Sequence, residues 1–229
     1  MPETLIFDYD GTLHNTLHIY EPAFRECYQA LVDASILHPV EISTERILSW
    51  LGMSARDMWE DFAPELPGEV RHRAERKLGD RMSELLRRHQ AVWYPHAEHA
   101  LDRLKESDYR MVILSNSQKK YGQEHWKEFH MERWFDHWYD CESYDYAPKT
   151  EIIKVIKQAY PGRLTVIGDR ALDLAAARAV DAAFVGCQYG FGTAQELAGA
   201  DALIADIEEL PELLNRSTGD TAWQQNFTQ

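Results

Sequence analysis

The stretch Thr4-Leu5-Ile6-Phe7-Asp8-Tyr9-Asp10-Gly11-Thr12 decides the fold. Four mostly apolar residues run straight into alternate acids and a glycine, which reads as a buried strand ending in a polar turn. Two carboxylates directly after such a strand meet mutual repulsion and partial desolvation, so Asp8 and Asp10 read as functional groups rather than ordinary turn residues.

Outward from this strand, the chain has no β-type run between about residues 15 and 92. Apolar periodicity there predicts helices over 18–33, 44–51, 55–62 and 68–90, with turns at Pro39, Gly52 and 64–68. Beyond Pro95 the texture changes to alternation. Strands are expected at 110–114, 137–140, 164–167, 183–186 and 202–204, and helices at 97–107, 119–130, 149–159, 172–180, 194–199 and 208–215. Strands separated by helices pair in parallel. The expected fold is therefore α/β, a doubly wound, Rossmann-like parallel sheet interrupted by an all-helical insertion. The core domain would take 1–14 and 93–216, the insertion 15–92, and a polar C-terminal tail 217–229.

In open parallel sheets, ligands bind at the carboxyl ends of the strands. Polar clusters fall at those ends here: Asp8 and Asp10 after the first strand, Ser115 and Asn116 after Val112-Ile113-Leu114, and Gly168, Asp169 and Asp173 after Val166-Ile167. Lys149 lies where a helix begins. Taken singly, Asp169 and Asp173 would be a cap and a first-turn acid, Ser115 and Asn116 turn residues, and Lys149 a solvated lysine. Their order along the chain promotes them to one site. Several carboxylates converging in a partly desolvated pocket call for a hard divalent cation. Magnesium suits, because it takes oxygen ligands and is commonly held by one or two carboxylates with substrate phosphate oxygens. No paired His or Cys spacing supports zinc.

Asp8-Tyr9-Asp10-Gly11-Thr12, Ser115, Lys149 and Gly168-Asp169-Arg170-Ala171-Leu172-Asp173 resemble, in order and separation, the four motifs of the haloacid dehalogenase superfamily, over residues 4–205. The helical insertion resembles that family's cap domain. Tyr189-Gly190-Phe191-Gly192, followed by Glu196-Leu197 and Ala200-Asp201, is similar to the phosphoglycolate phosphatase branch. The resemblance implies that Asp8 attacks phosphorus, that Asp10 protonates the leaving oxygen and then deprotonates water, and that Ser115 and Lys149 hold non-bridging oxygens. Gly11, Thr12 and Asn116 would complete the phosphate cradle. Mg2+ would be held by Asp8, the backbone carbonyl of Asp10 and Asp169, with Asp173 either a ligand through water or an orienting group. The implied substrate is a small phosphorylated metabolite of the phosphoglycolate or sugar phosphate class, selected by the cap. Three positions depart from the family pattern: Lys149 is flanked by Pro148 and Thr150 rather than followed by proline, Arg170 replaces a small polar residue, and Asn15-Thr16 replaces a more usual acidic or serine pair.

Rival readings share parts of this set. A sugar phosphomutase of β-phosphoglucomutase type would return the phosphoryl group to another hydroxyl. A dehalogenase would need neither magnesium nor Asp10. A non-catalytic binding protein would have no need of the intact acids. Composition narrows the partners further: the formal charge of −14 at pH 7 repels nucleic acid and acidic membrane surfaces. Cys27, Cys141 and Cys187 are far apart and in no CxxC spacing, so they read as free thiols of a reducing compartment. With no signal peptide or membrane span legible, a cytoplasmic address is expected. The arginines and acids of 69–88 read as a salt-bridged solvent face, and His125 with the tryptophans around it as aromatic packing.

Overall fold

A computed structural model of the chain describes residues 3–219. Among them, six strands form one parallel sheet: β1 (Thr4–Phe7), β2 (Arg110–Ser115), β3 (His137–Asp140), β4 (Leu164–Gly168), β5 (Ala183–Cys187) and β6 (Ala202–Ile204). The spatial order is β3-β2-β1-β4-β5-β6, so the chain winds outward from the middle twice and reverses between β1 and β4. That reversal is where open α/β sheets leave a crevice for ligands. Register places Phe7 opposite both Ile113 and Ile167, so the residues after Phe7 emerge between two strand ends.

All four residues of β1 are buried, because helices cover both faces of the sheet. Leu5 and Phe7 point to one side, beneath α5 (Ala97–Glu106) and the last helix, α9 (Leu210–Gly219). Ile6 points to the other, against α7 (Lys149–Ala159) and α8 (Ala171–Ala179). Between β1 and β2 the helices α1 (Leu17–Asp33), α2 (Thr44–Leu48), α3 (Ala55–Phe62) and α4 (Gly68–Arg87) gather a separate apolar cluster that includes Phe24, Trp50, Trp59 and Leu86. Ser43 and Ser54 cap α2 and α3 by accepting the main-chain N–H of Arg46 and Asp57, each at 3.2 Å. On α4, Arg71 pairs with Glu60 and Arg81 with Glu26 and Glu84, the solvated face that its charge pattern predicts. The same helix lies along α6 (Lys119–Glu128) of the core. Lys120 meets Asp80 at 2.8 Å, His89 meets Glu128 at 2.6 Å, and Ser83 donates to Glu124.

Some boundaries differ from the sequence reading. Residues 194–199 form turns rather than a helix. Thr193 and Glu196 close one turn reciprocally as a capping box, and Leu197 N–H reaches Thr193 O, but the next bonds, Ala198 N–H to Gln195 O and Ala200 N–H to Leu197 O, are of the shorter turn type, and Gly199 follows at once. Helix α2 stops at Leu48 instead of 51, and α4 stops at Arg87 instead of 90, where His89 turns left-handed at φ 56°. Helix α6 ends at Glu128 rather than 130, with His130 also left-handed at φ 50°. Helix α9 begins at Leu210, after a 3₁₀ turn over Ile207–Glu209, and runs to Gly219, so 217–219 are helical rather than tail. The remainder of the expected polar tail, 220–229, lies outside the described residues. Among the described residues no helix is long and apolar enough to cross a membrane, and the three cysteines are free and buried.

Candidate active site

Asp8 leaves β1 with its main-chain N–H still bonded to Ile167 O at 2.8 Å, and Asp169 leaves the neighbouring β4. Asp173 stands in the first turn of α8, where its Oδ2 accepts the Arg170 N–H at 3.0 Å. The first-turn role that Asp173 has by position is therefore real, and its other oxygen is still available to the site. Lys149, first residue of α7, donates to Asp8 Oδ1 at 2.5 Å and to Asp173 Oδ1 at 2.7 Å. Oxygens of Asp8, Asp169 and Asp173 lie within 4.8 Å of one another, and all three residues are buried.

Burial pushes the Asp8 carboxyl well above the ordinary carboxylate range, opposed by the Lys149 ammonium and reinforced by Asp173 and Asp169. Burial and the neighbouring Asp173 push Asp169 up to about 7, although the Phe191 N–H on its Oδ2 at 2.6 Å works the other way. Burial alone would lower Lys149, but Asp173 and Asp8 outweigh it and raise the lysine. With all three carboxylates ionised against one ammonium, the buried cluster would carry an excess of two negative charges, and the ligand atoms it offers are all oxygen. That donor set fits a hard divalent cation and does not fit zinc.

Glycines make room for this cluster. Gly11 has φ 98°, and a Cβ there would sit 2.4 Å from Asp169 Oδ2. A Cβ at Gly192 would lie 1.7 Å from the Asp169 carbonyl oxygen, so Tyr189-Gly190-Phe191-Gly192 can close over Asp169 only as a glycine loop. Thr12 Oγ1 lies 3.4 Å from Asp8 and 3.5 Å from Asp169, at the limit of hydrogen bonding.

Asp10 stands apart from that cluster, in a different environment. Its Oδ1 accepts from Thr16 Oγ1 at 2.5 Å and Tyr121 Oη at 2.6 Å, with His14 Nδ1 at 3.3 Å. His14 Nδ1 also lies 3.0 Å from Thr16 Oγ1 and 3.2 Å from Tyr121 Oη. Behind them, Tyr9 Oη pairs with His125 Nδ1 at 2.8 Å, and the ring of Tyr121 lies over that of His125 with centroids 4.0 Å apart. Burial, with His14 nearby, holds His125 well below its usual value, so it is neutral. Burial and then Asp10 raise Tyr121, which keeps its proton and donates. Sequence reasoning assigned His125 to aromatic packing, as found, but gave no role to His14 or Tyr121. Thr16 holds the N-cap position of α1, yet its hydroxyl serves Asp10 rather than the helix.

Ser115 ends β2, buried, with its Oγ accepting the Ser117 N–H at 3.1 Å. Asn116 donates its side-chain amide to Gly52 O at 2.9 Å, and Arg170 donates to Leu51 O while pairing with Glu196 at 3.0 Å. Two core side chains thus grip one turn of the helical insertion. A cavity of about 320 Å³ opens beside Asp8, Asp10, Ser115 and Asn116 and extends between the sheet edge and the insertion. Trp59 is buried inside the helical cluster and off the cavity wall.

With this geometry in view, a sequence description of the family "Haloacid dehalogenase-like hydrolase" matches residues 5–187. The chain belongs to the haloacid dehalogenase-like hydrolase family. It is a hydrolase of that family, and several of the proteins it resembles are described as phosphatases. A phosphoglycolate phosphatase from Chromobacterium violaceum is 26% identical over 224 residues, covering 93% of this chain and 96% of that one. The crystal structure of a predicted phosphatase from Clostridium acetobutylicum superposes with a TM-score of 0.77 at 20% identity, covering 94% of this chain and 99% of that one. That of CbbY from Rhodobacter sphaeroides, in complex with phosphate, gives 0.74 at 21% identity, over 92% and 96% of the two chains.

Proposed function

We propose that the enzyme is a magnesium-dependent phosphatase that hydrolyses a small phosphate monoester through a phosphorylated Asp8. The observation that carries this is the meeting of Asp8, Lys149, and the pair Asp169 and Asp173, drawn from three distant places in the chain, at the strand ends beside a cavity. A carboxylate is a competent nucleophile at neutral pH without a base to activate it, and Asp8 Oδ2, on which only the distant Thr12 hydroxyl bears, faces the smaller obstacle to attack. Asp10, held by two hydroxyls at the cavity wall, would give its proton to the leaving alkoxide and take one from the water that attacks the phosphoenzyme. Lys149 and Ser115 would hold the non-bridging oxygens, with Gly11, Thr12 and Asn116 around them.

Asp8, Asp169 and the Asp10 backbone carbonyl would hold the Mg2+, with Asp173 orienting it directly or through water. When bound, the ion offsets charge on the phosphoryl oxygens and on the acids themselves. The named relative makes phosphoglycolate a first substrate to try, and a sugar phosphate is the second. Release of phosphate to water, rather than its return to a sugar hydroxyl, separates this reading from a mutase.

The test is p-nitrophenyl phosphate turnover with magnesium, in EDTA, and with Asp8→Asn. We expect the variant to lose about 10⁴-fold in kcat while remaining folded, since removal of a nucleophile leaves only binding and electrostatics. We expect EDTA to abolish turnover and magnesium to restore it. Turnover that persists in Asp8→Asn or in EDTA would overturn the mechanism.

A further inference from the structure

The wall that the insertion offers to the cavity is made of carbon and sulfur. Tyr20, Trp50, Met53, Met58, Leu78 and Met82 face the space that begins at Asp8 and Asp10. Most of the polar groups interspersed among them already have partners in the protein, Ser117 Oγ, on the sheet side, being buried without one. Ser54 Oγ donates to Asp57 at 2.8 Å, Ser83 donates to Glu124, and the Asn116 amide is spent on Gly52 O. Lys120 Nζ is bonded to Asp80 at 2.8 Å.

A polyhydroxylated leaving group would surrender a water hydrogen bond for each buried hydroxyl and find few replacements here. A second anionic group fares no better. The charged side chains around the opening, Glu75, Arg76, Asp80 and Lys120, sum to zero and so give no net attraction, Lys120 is paired with Asp80, and Arg76 stands exposed at the rim, where water screens it. Methionine is unbranched and polarizable, so Met53, Met58 and Met82 can follow the outline of an apolar chain or meet the edge of an aromatic ring. A volume of about 320 Å³ is at the small end of ligand sites, which suits a compact molecule.

We propose that the alcohol part of the substrate is predominantly hydrocarbon, aliphatic or aromatic, and that phosphoglycolate and sugar phosphates are the poorer substrates of this cap. The proposal rests on the phosphatase reading above and narrows it. Such a group would lie between the insertion and the sheet edge with its phosphate on Lys149, and hydrolysis would leave inorganic phosphate and an apolar alcohol.

The experiment compares kcat/KM of the magnesium-loaded enzyme for ethyl, butyl, hexyl and benzyl phosphate with that for phosphoglycolate, glucose 6-phosphate and acetyl phosphate. Expected is a rise of about fourfold for each methylene that the wall covers, and an advantage of at least about tenfold for hexyl and benzyl phosphate over the two polar metabolites. Met53 is only half-buried and so is the safest wall position to change. Met53→Gln should reduce the hexyl-to-ethyl ratio about tenfold, and Met53→Leu should preserve it. A flat alkyl series, or a preference for either polar metabolite, overturns the proposal and leaves the phosphatase reading standing. An unchanged ratio in Met53→Gln overturns the placement of the group. No phosphate release from any compound, acetyl phosphate included, removes the phosphatase reading and the proposal with it.

Discussion

Asp8 lies among charges, with Lys149 on one oxygen and Asp169 and Asp173 beside it, whereas Asp10, two residues further on, is held by the hydroxyls of Thr16 and Tyr121. The residue type is the same, and both carboxylates line one cavity. What separates them is their partners. An ammonium and a cation-binding cluster suit a carboxylate that must stay ionised and attack, and hydroxyl donors fix the direction in which the second carboxylate points. In the proposed mechanism, environment rather than identity distributes the nucleophile and acid–base roles between the two.

The largest effect that would break this contrast is chemical. If Asp10 is the proton donor, Asp10→Asn must damage substrates in proportion to how badly their leaving group needs a proton. We expect a loss of about 10³-fold in kcat for an alkyl phosphate, within the usual reach of general acid catalysis, and a much smaller loss in the first step for p-nitrophenyl phosphate, whose leaving group departs unprotonated. Single-turnover kinetics on both substrates would show it. Equal losses would mean that Asp10 serves some other purpose, such as holding the backbone in place.

A second effect belongs to the ionic side. Asp169 is raised from near 3.8 to about 7 by burial and Asp173. Between those values the folded, metal-free protein keeps a proton that the unfolded chain has released, so this group's contribution to stability falls as pH rises and levels off above about 7. A carboxyl moved that far costs about 4 kcal/mol once ionised. Asp8 is displaced in the same direction. Magnesium binds the ionised acids, so its gain in Tm over EDTA should be small near pH 5 and grow towards pH 8. Thermal unfolding across that range tests it, and a magnesium increment indifferent to pH would count against the acids as the cation's seat.

The two halves of the contrast were unequally legible in the sequence. Every member of the ionic cluster follows a strand end or begins a helix, and strand ends converge by topology, so Asp8, Lys149, Asp169 and Asp173 could be listed together before any coordinates. The sheet was readable for the same reason: its strands are continuous apolar runs divided by helices. Tyr121 sits inside α6, more than a hundred residues from Asp10, and nothing in its local pattern separates it from the packing aromatics around it. His14 and Thr16 sit in the irregular stretch between β1 and α1, where no periodicity marks which side chains turn towards Asp10. Residues 194–199 carry helix-forming composition behind a capping box, but the bonds that follow are of the shorter turn type and Gly199 comes at once, local details that composition does not encode.

The smallest predicted effect bears on the part that the sequence missed. Tyr121→Phe removes one donor from Asp10 and keeps the ring that lies over His125 and meets Tyr9 edge-on at 6.2 Å. Thr16 still holds the carboxylate, so the acid is loosened rather than lost. A hydrogen bond to a charged group contributes roughly 1.5–3 kcal/mol, and with Thr16 retained we expect the lower end, about tenfold in kcat for an alkyl phosphate with KM little changed. The signature that separates positioning from mere packing is again the leaving group: p-nitrophenyl phosphate should lose less than the alkyl ester in the same variant. Phe restores the shape but not the hydroxyl, so a packing role would leave both substrates untouched, and a general loosening of the fold would slow both alike. Either result would show that the hydroxyl at 2.6 Å from Asp10 does not set the direction in which the acid points.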